Sequence, residues 1–459
     1  MSLAAEVDNR GIPPLAGVCS YEEAARAGLS VDETVRRLKR FNYALRRLYE
    51  VAAAHLPSTP EWEVKCALSL HLWLDAEHAA LIRNRVAEMR EPPLHLDDVP
   101  DEALEAAFDE IIRANSTVEL LAGAYLEARG ELVRAVRAHL GVLNPLFDFP
   151  TCRLLRAILR EQEEILEWSE AAYAAVAKAD EASERGEAFR AHVQAYLVAA
   201  GGLDGAVLAT GSQELPPPRS DGRAYEMDSR PARDDRFRDV FNASAKIDDY
   251  YRDDTRPLDE RTWALACKRL REMDVPEWMA PIIYKASNKP WEYYNDLARQ
   301  LWDEARHAMM GEVSLVALGI PFYEYPIDMA ASTSLNAEFT PLEAHVLLWH
   351  VEQGLMAGST GKRFEWRVAD EHGDSFFAAL QDYDWADEVL HAQIGRRWLR
   401  DAYPDRRQLN QVAERLMERW EASLAACAAR SDGQVWWAEF VERARAGRGG
   451  AVTAGSQAS

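Results

Sequence analysis

Residues 291–308 read WEYYNDLARQLWDEARHA. Apolar residues fall at helical spacing through this stretch, as expected of a helix that buries one face. Glu304 and His307 stand three residues apart, so both side chains leave the same helix face about one turn from each other. A second stretch, residues 62–79, reads WEVKCALSLHLWLDAEHA. Both begin W-E, carry L-W near the end, and close with an acid, two residues and His-Ala. Trp62 precedes Asp75, and Trp291 precedes Glu304, by the same 13 residues. A weaker match lays EEILEW (163–168) over DEVLHA (387–392). The economical reading is an internal duplication of a helical bundle, about 200 residues per copy.

Outward from these stretches the chain continues as helix after helix. Ala, Leu, Glu and Arg dominate, and alternating β-branched runs are nearly absent, so the fold class is all-α. The spacing predicts helices over 31–56, 61–90, 100–140, 151–180 and 184–200. Further helices are predicted over 234–252, 259–273, 276–287, 291–318, 340–358, 374–402 and 406–430. Between the two sets, 201–233 is rich in Gly, Pro, Ser and charge and reads as a linker. The expected organisation is an N-terminal bundle over 1–200, the linker, a C-terminal bundle over 234–445, and a disordered tail over 446–459.

The 459 residues, 48% hydrophobic and 28% charged, have the profile of a globular protein of two or three domains. With 53 basic against 76 acidic residues and a formal net charge of −23, a general affinity for nucleic acid or anionic membrane is not expected. No run of about 18 apolar residues and no secretory pattern is visible. The five cysteines are far apart and form no CxxC or zinc pattern, so a reducing, cytoplasmic location is expected. Gly-rich phosphate loops and a GxSxG elbow are absent.

Three acid-x-x-His pairs occur (Asp75/His78, Glu304/His307 and Glu388/His391), against about two expected by chance. The stricter acid-acid-x-x-His form has a chance expectation of about 0.3 and occurs twice, as Asp303-Glu304-Ala305-Arg306-His307 and Asp387-Glu388-Val389-Leu390-His391. The second lies 84 residues after the first, room for two helices and a connection. Two such pairs on facing helices, with one carboxylate from each of two further helices, form a cage of oxygen and nitrogen ligands for two metal ions. Carboxylates suit hard iron or manganese and can bridge them, while imidazole supplies a nitrogen donor.

DEARHAMMGEVSLVALG and DEVLHAQIGRRWL resemble the two DExxH helices of the ferritin-like superfamily, in particular an uncharacterised family of ferritin-like helical proteins. The resemblance is specific over about 276–402 and weaker over 40–180. It implies two tandem ferritin-like four-helix bundles with additional flanking helices. It also implies a dinuclear iron site, with manganese as the second option, whose ExxH ligands are Glu304, His307, Glu388 and His391. Glu277 and Glu272 both fit the first-helix glutamate. Glu277 is preferred because it stands roughly level with Glu304 across the turn at 287–290. Glu352 is the expected third-helix ligand, since Glu343 lies where a helix start explains an acid by itself. By the same resemblance Asp303 would accept the free imidazole N–H of His391, and Asp387 that of His307.

The N-terminal copy departs from the pattern. Its equivalents are Glu50, Asp75, His78, Glu119, Glu164 and Glu167, with Glu167 where a histidine belongs and Leu74 where the orienting aspartate belongs. It reads as a degenerate copy, kept as scaffold or as part of a substrate cleft.

Other singled-out residues have ordinary readings. His345 reads first as a core histidine, and the 14 tryptophans read as packing. Arg306 and Arg396-Arg397 read first as structural ion pairs and second as partners of a substrate carboxylate. The functional expectation is a non-haem dinuclear-iron oxidase or oxygenase acting with O2 on a small organic substrate, served by an unidentified electron donor. A homodimer is a further candidate state. The alternative is a non-catalytic metal-binding or structural helical protein.

Overall fold

The computed structural model describes residues 7–206 and 215–455, with side chains to residue 447. All regular structure among the described residues is helical. Among the described residues, no helix is long and apolar enough to cross a membrane. The chain divides into two compact units. One comprises Met1–Val51 with Leu74–Glu226, the other Ala52–Trp73 with Met227–Ser459.

Two long helices, α1 (Val31–His55) and α2 (Trp62–Met89), carry residues of both units. The repeated W-E stretch is therefore shared: Trp62 and Lys65 belong to the second unit, and Asp75 and His78 to the first. The first unit continues with α3 (Glu102–Ile111), started by Asp101, whose side chain accepts from Leu104 N. Next, Thr117–Leu120, a π-helical stretch Leu121–Arg129, and Gly130–Val142 run on as α4. α5 (Phe149–Val176) and α6 (Asp180–Ala199) complete this unit's helices.

The single helix expected over 100–140 is thus two helices joined by a turn, with a π-helical segment in the second. The segment expected as a linker takes part in packing: Arg219 pairs with Glu119 at 2.6 Å, and the Tyr196 hydroxyl donates to the Pro216 carbonyl. Residues 207–214 of that segment lie outside the described residues.

In the second unit come α7 (Ile247–Arg252), α8 (Leu258–Arg271), α9 (Asp274–Tyr284), α10 (Trp291–Ala317), α11 (Ala330–Glu338) and α12 (Pro341–Leu355). They are followed by α13 (Lys362–His372), α14 (Ser375–Leu399), α15 (Arg406–Ala428) and α16 (Trp437–Gly455). The helix expected over 234–252 starts only at Ile247. Asp239 has a φ of 47°, and Asn242 and Ser244 make local bonds that compete with a helix. The tail expected to be disordered is helical as far as Gly455, and residues 456–459 lie outside the described residues.

Two glycines set the helix spacing in this unit. A Cβ on Gly311 would stand 2.3 Å from the Leu270 backbone nitrogen, so α10 and α8 touch backbone to backbone there. A Cβ on Gly395 would stand 2.9 Å from the Trp349 Cβ, so α14 and α12 are also in close contact. The first contact brings the end of α8 to His307, and the second brings α12 to His391.

His139 in the first unit is fully buried, its ring edge-on to Phe41 and both ring nitrogens without a hydrogen-bond partner. Burial, with Arg37 nearby, pushes its pKa down to about 4. The folded value lies below the unfolded one, so this contribution is intact above pH 6.5 and is lost as the pH falls towards 4. Its size is on the order of 3 kcal/mol. Chemical denaturation between pH 7 and 4 should show an acid limb that flattens in His139→Phe; an unchanged limb would assign it elsewhere.

Candidate metal centre

Four helices and one flanking helix build a closed polar cluster inside the second unit. α10 contributes Glu304 and His307, one turn apart and buried. α14 contributes Glu388 and His391 in the same register, with Asp384 one turn earlier. Glu352 comes from α12, which is started by a capping box between Thr340 and Glu343. Glu272 caps the C-terminus of α8, and Lys362 opens α13.

Donor atoms of Glu304, Glu352, Glu388 and His391 lie within 4.8 Å of one another. So do those of Glu272, Glu304 and His307, and those of His307, Asp384 and Glu388. Glu304 and Glu388 each reach both histidine sides. The two rings are 5.9 Å apart. His391 Nδ1 lies 3.1 Å from Glu304 and 3.2 Å from Glu388. His307 Nδ1 lies 3.4 Å from both Glu272 and Asp384.

The opposite ring nitrogens meet the two aspartates. His307 Nε2 is 3.1 Å from Asp387, and His391 Nε2 is 3.4 Å from Asp303. Arg306 bridges those aspartates, at 2.6 Å from Asp303 and 2.7 Å from Asp387, and Arg299 adds a bond to Asp303. Nδ1 of each histidine therefore faces the carboxylates, while Nε2 is held from outside.

Several buried atoms here have no hydrogen-bond partner: Glu272 Oε2, Glu304 Oε1, His307 Nδ1, Glu352 Oε2 and Gln300 Oε1. Native interiors leave few such atoms, and the four on Glu272, Glu304, His307 and Glu352 are what a ligand set would present to cations. The donor set fits iron or manganese, with carboxylate oxygens, two imidazoles, and two carboxylates able to bridge.

The electrostatics are lopsided. Burial pushes the Glu352 carboxyl well above the usual range, and its neighbours Glu388 and Glu304 push the same way. Burial also opposes ionisation of Glu388, but Lys362 and His391 outweigh it and hold its carboxyl well below the usual range. Around Glu272 the same contest is won by Arg269 and Lys362, which hold it at about 2. Burial disfavours charge on both histidines, yet Asp384 and Asp387 at His307, and Asp303 and Glu304 at His391, raise both well above the ordinary imidazole value. Lys362 donates to Asp384 at 2.8 and 3.0 Å and stands 2.8 Å from Glu388. Arg269 pairs with Asp384, with Glu365 and, at 3.2 Å, with Glu272. The His307 side thus holds two buried cations, whereas among the described residues no Lys or Arg pairs with the Glu304–Glu352–Glu388–His391 group except through Glu388.

Glu277, preferred from sequence as the first-helix ligand, is not brought to this cluster. It is buried between Lys65 and Arg233, and Ser332 donates to it at 3.4 Å. Glu272 takes the place near His307, because the first helix of the cluster is α8 rather than α9. His345 is a buried core residue against Tyr293, with Nε2 unpartnered, and burial pushes its pKa down to about 4.

The six N-terminal equivalents are not brought together either. Arg129 makes a two-pronged bond to Asp75, at 2.8 Å on each oxygen, and Gln162 joins it. His78 contacts Gln162 and Glu161. Glu119 is held by Arg219 and Glu50 by Arg47, while Glu164 and Glu167 are exposed. A guanidinium supplies the positive charge beside Asp75.

Asp384, Lys362 and Arg269 escaped the sequence reading. Asp384 could have been found, since it lies four residues before Glu388 on the same helix face. Lys362 and Arg269 carry no local signal. No family model, curated protein or solved structure matches the chain.

Proposed function

We propose that the second unit is a ferritin-like bundle holding two iron ions, with manganese as the alternative metal, and that the protein is an O2-dependent oxidase or oxygenase of a small organic substrate. The duplication read from the sequence makes the first unit its degenerate counterpart. The observation that carries this reading is the convergence of two ExxH pairs, Glu352 and Glu272 on one buried spot, where Glu272 Oε2, Glu304 Oε1, His307 Nδ1 and Glu352 Oε2 have no hydrogen-bond partner among the described residues. Bound iron would supply the reductive activation of O2, chemistry that side chains do not provide.

The residues have separable roles. His307 and His391 would ligate through Nδ1, with Asp387 and Asp303 fixing tautomer and ring orientation through Nε2. Glu304 and Glu388, which lie near both histidines, would help hold the metal on both sides, with Glu352 and Glu272 each on one side. Arg306 and Arg299 hold the two aspartates in place. Electrons would come from an external donor.

A second reading is favoured by Lys362 and Arg269, whose charges already offset several of the carboxylates: a metal-free ionic hub with a structural role. One experiment separates the two. The full chain, loaded anaerobically with Fe(II) and desalted, is exposed to O2 while its absorption and oxygen uptake are followed. The oxidase reading expects oxygen uptake that Glu304→Ala abolishes. Retention of no iron by the unmodified chain would leave the ionic hub standing.

A further inference from the structure

The corner where α14 gives way to α15 holds a cavity of about 490 Å³ lined by four arginines, Arg396, Arg397, Arg400 and Arg406, together with Trp349 and Tyr403. On a chain of net charge −23, four guanidiniums around one hollow require an explanation. Arg397 has one: it bonds Asp296 at 2.9 Å and lies over the Trp398 ring. Asp296 is shared further with the Trp398 indole N–H. Arg396, Arg400 and Arg406 have no carboxylate within ion-pair reach among the described residues. The C-terminal end of α14 favours cations, which accounts for Arg396, Arg397 and the C-cap Arg400 but not for Arg406, which opens α15 at an end where a cation is unfavourable. A second observation lies in the wall. Trp349 is almost wholly buried and lines the cavity, giving it an aromatic wall.

We propose that this cavity binds a phosphorylated small molecule. Guanidinium forks pair in two-pronged fashion with phosphate oxygens, and a tetrahedral dianion can engage several forks at once, where a monocarboxylate satisfies one. The volume falls in the range of small-molecule sites and exceeds what inorganic phosphate needs. The organic part would lie against Tyr403, Trp349 and Leu409. The site is distinct from the carboxylate–histidine cluster, though it shares α12 and α14 with it, and it stands without the metal reading.

The test is calorimetric titration of the full chain with phenyl phosphate, a weakly chelating dianion with an aromatic group, and with benzoate at matched ionic strength. The expected result is saturable one-to-one binding of phenyl phosphate, weakened about tenfold or more in Arg396→Gln/Arg400→Gln. These arginines are exposed, so the variant should keep the parent circular dichroism and melting temperature. The charge-matched control Arg443→Gln/Arg445→Gln on α16 should bind within about twofold of the parent. Absence of saturable binding, equal binding of benzoate, or equal weakening in the control would overturn the proposal.

Discussion

Glu277→Ala is expected to destabilise the second unit by about 3–5 kcal/mol while leaving metal retention unchanged. Glu277 is the counter-ion of two buried cations. Lys65 is fully buried, and among the described residues it bonds, besides Glu277, only the carbonyls of Pro57 and Ala232. Burial pulls its pKa down to about 8, with Glu277 pulling the other way. Removing the carboxylate leaves Lys65 and Arg233 facing each other in a dry interior, the condition that makes breaking a buried pair costly. Asp274, raised to about 7 by burial and by Glu277, is a neighbouring acid able to ionise in compensation. Lys65→Met/Glu277→Leu should regain part of the loss, because removing both partners leaves less uncompensated charge. Urea denaturation gives the stability, and metal analysis of the same samples gives the second half. A variant with normal stability but half the metal would return Glu277 to the ligand set.

Lys362→Met is expected to weaken the metal-free protein by about 3–5 kcal/mol, and added Mn(II) or Fe(II) is expected to restore most of it. The Lys362 ammonium touches Asp384 and Glu388, with Glu272 at 3.7 Å. Without metal it supplies much of the positive charge on the His307 side. A cation bound between Glu272, Glu304 and His307 would do the same work, so metal should stabilise the variant more than the parent. Melting curves of both proteins, with and without metal, give the comparison. An unclosed gap between the loaded proteins would mean that Lys362 acts for the fold and not for the charge of the site.

The contrast between these two residues shows what the sequence carried. The ExxH pairs were legible because a helix converts a three-residue spacing into a shared face, whatever surrounds it. The aspartate before each glutamate was legible for the same reason, and both lie beside the opposite histidine. Helical character was legible from composition and spacing, although α11, α13 and α16 were missed; α11 and α13 are short, and α11 has no clear apolar stripe.

The choice between Glu272 and Glu277 was a tertiary matter. It depends on where α8 ends and on the backbone contact between Gly311 and Leu270, which no local pattern announces. Arg129 is the parallel case in the first unit. Asp75 and His78 keep the motif's spacing, but a guanidinium from α4 has taken the carboxylate. Spacing placed the candidate ligands on one face, and only the packing showed which cation each acid meets.

In the proposed function the cluster on α8, α10, α12 and α14 holds two metal ions. The most direct measurement is the metal content of the full chain after anaerobic loading with Fe(II) and desalting, beside Glu304→Ala and Asp75→Ala treated identically. The account predicts about two ions per chain in the parent and in Asp75→Ala, and close to none in Glu304→Ala, since Glu304 serves both histidine sides. A parent chain that retains no iron, or a Glu304→Ala chain that retains as much as the parent, would contradict it.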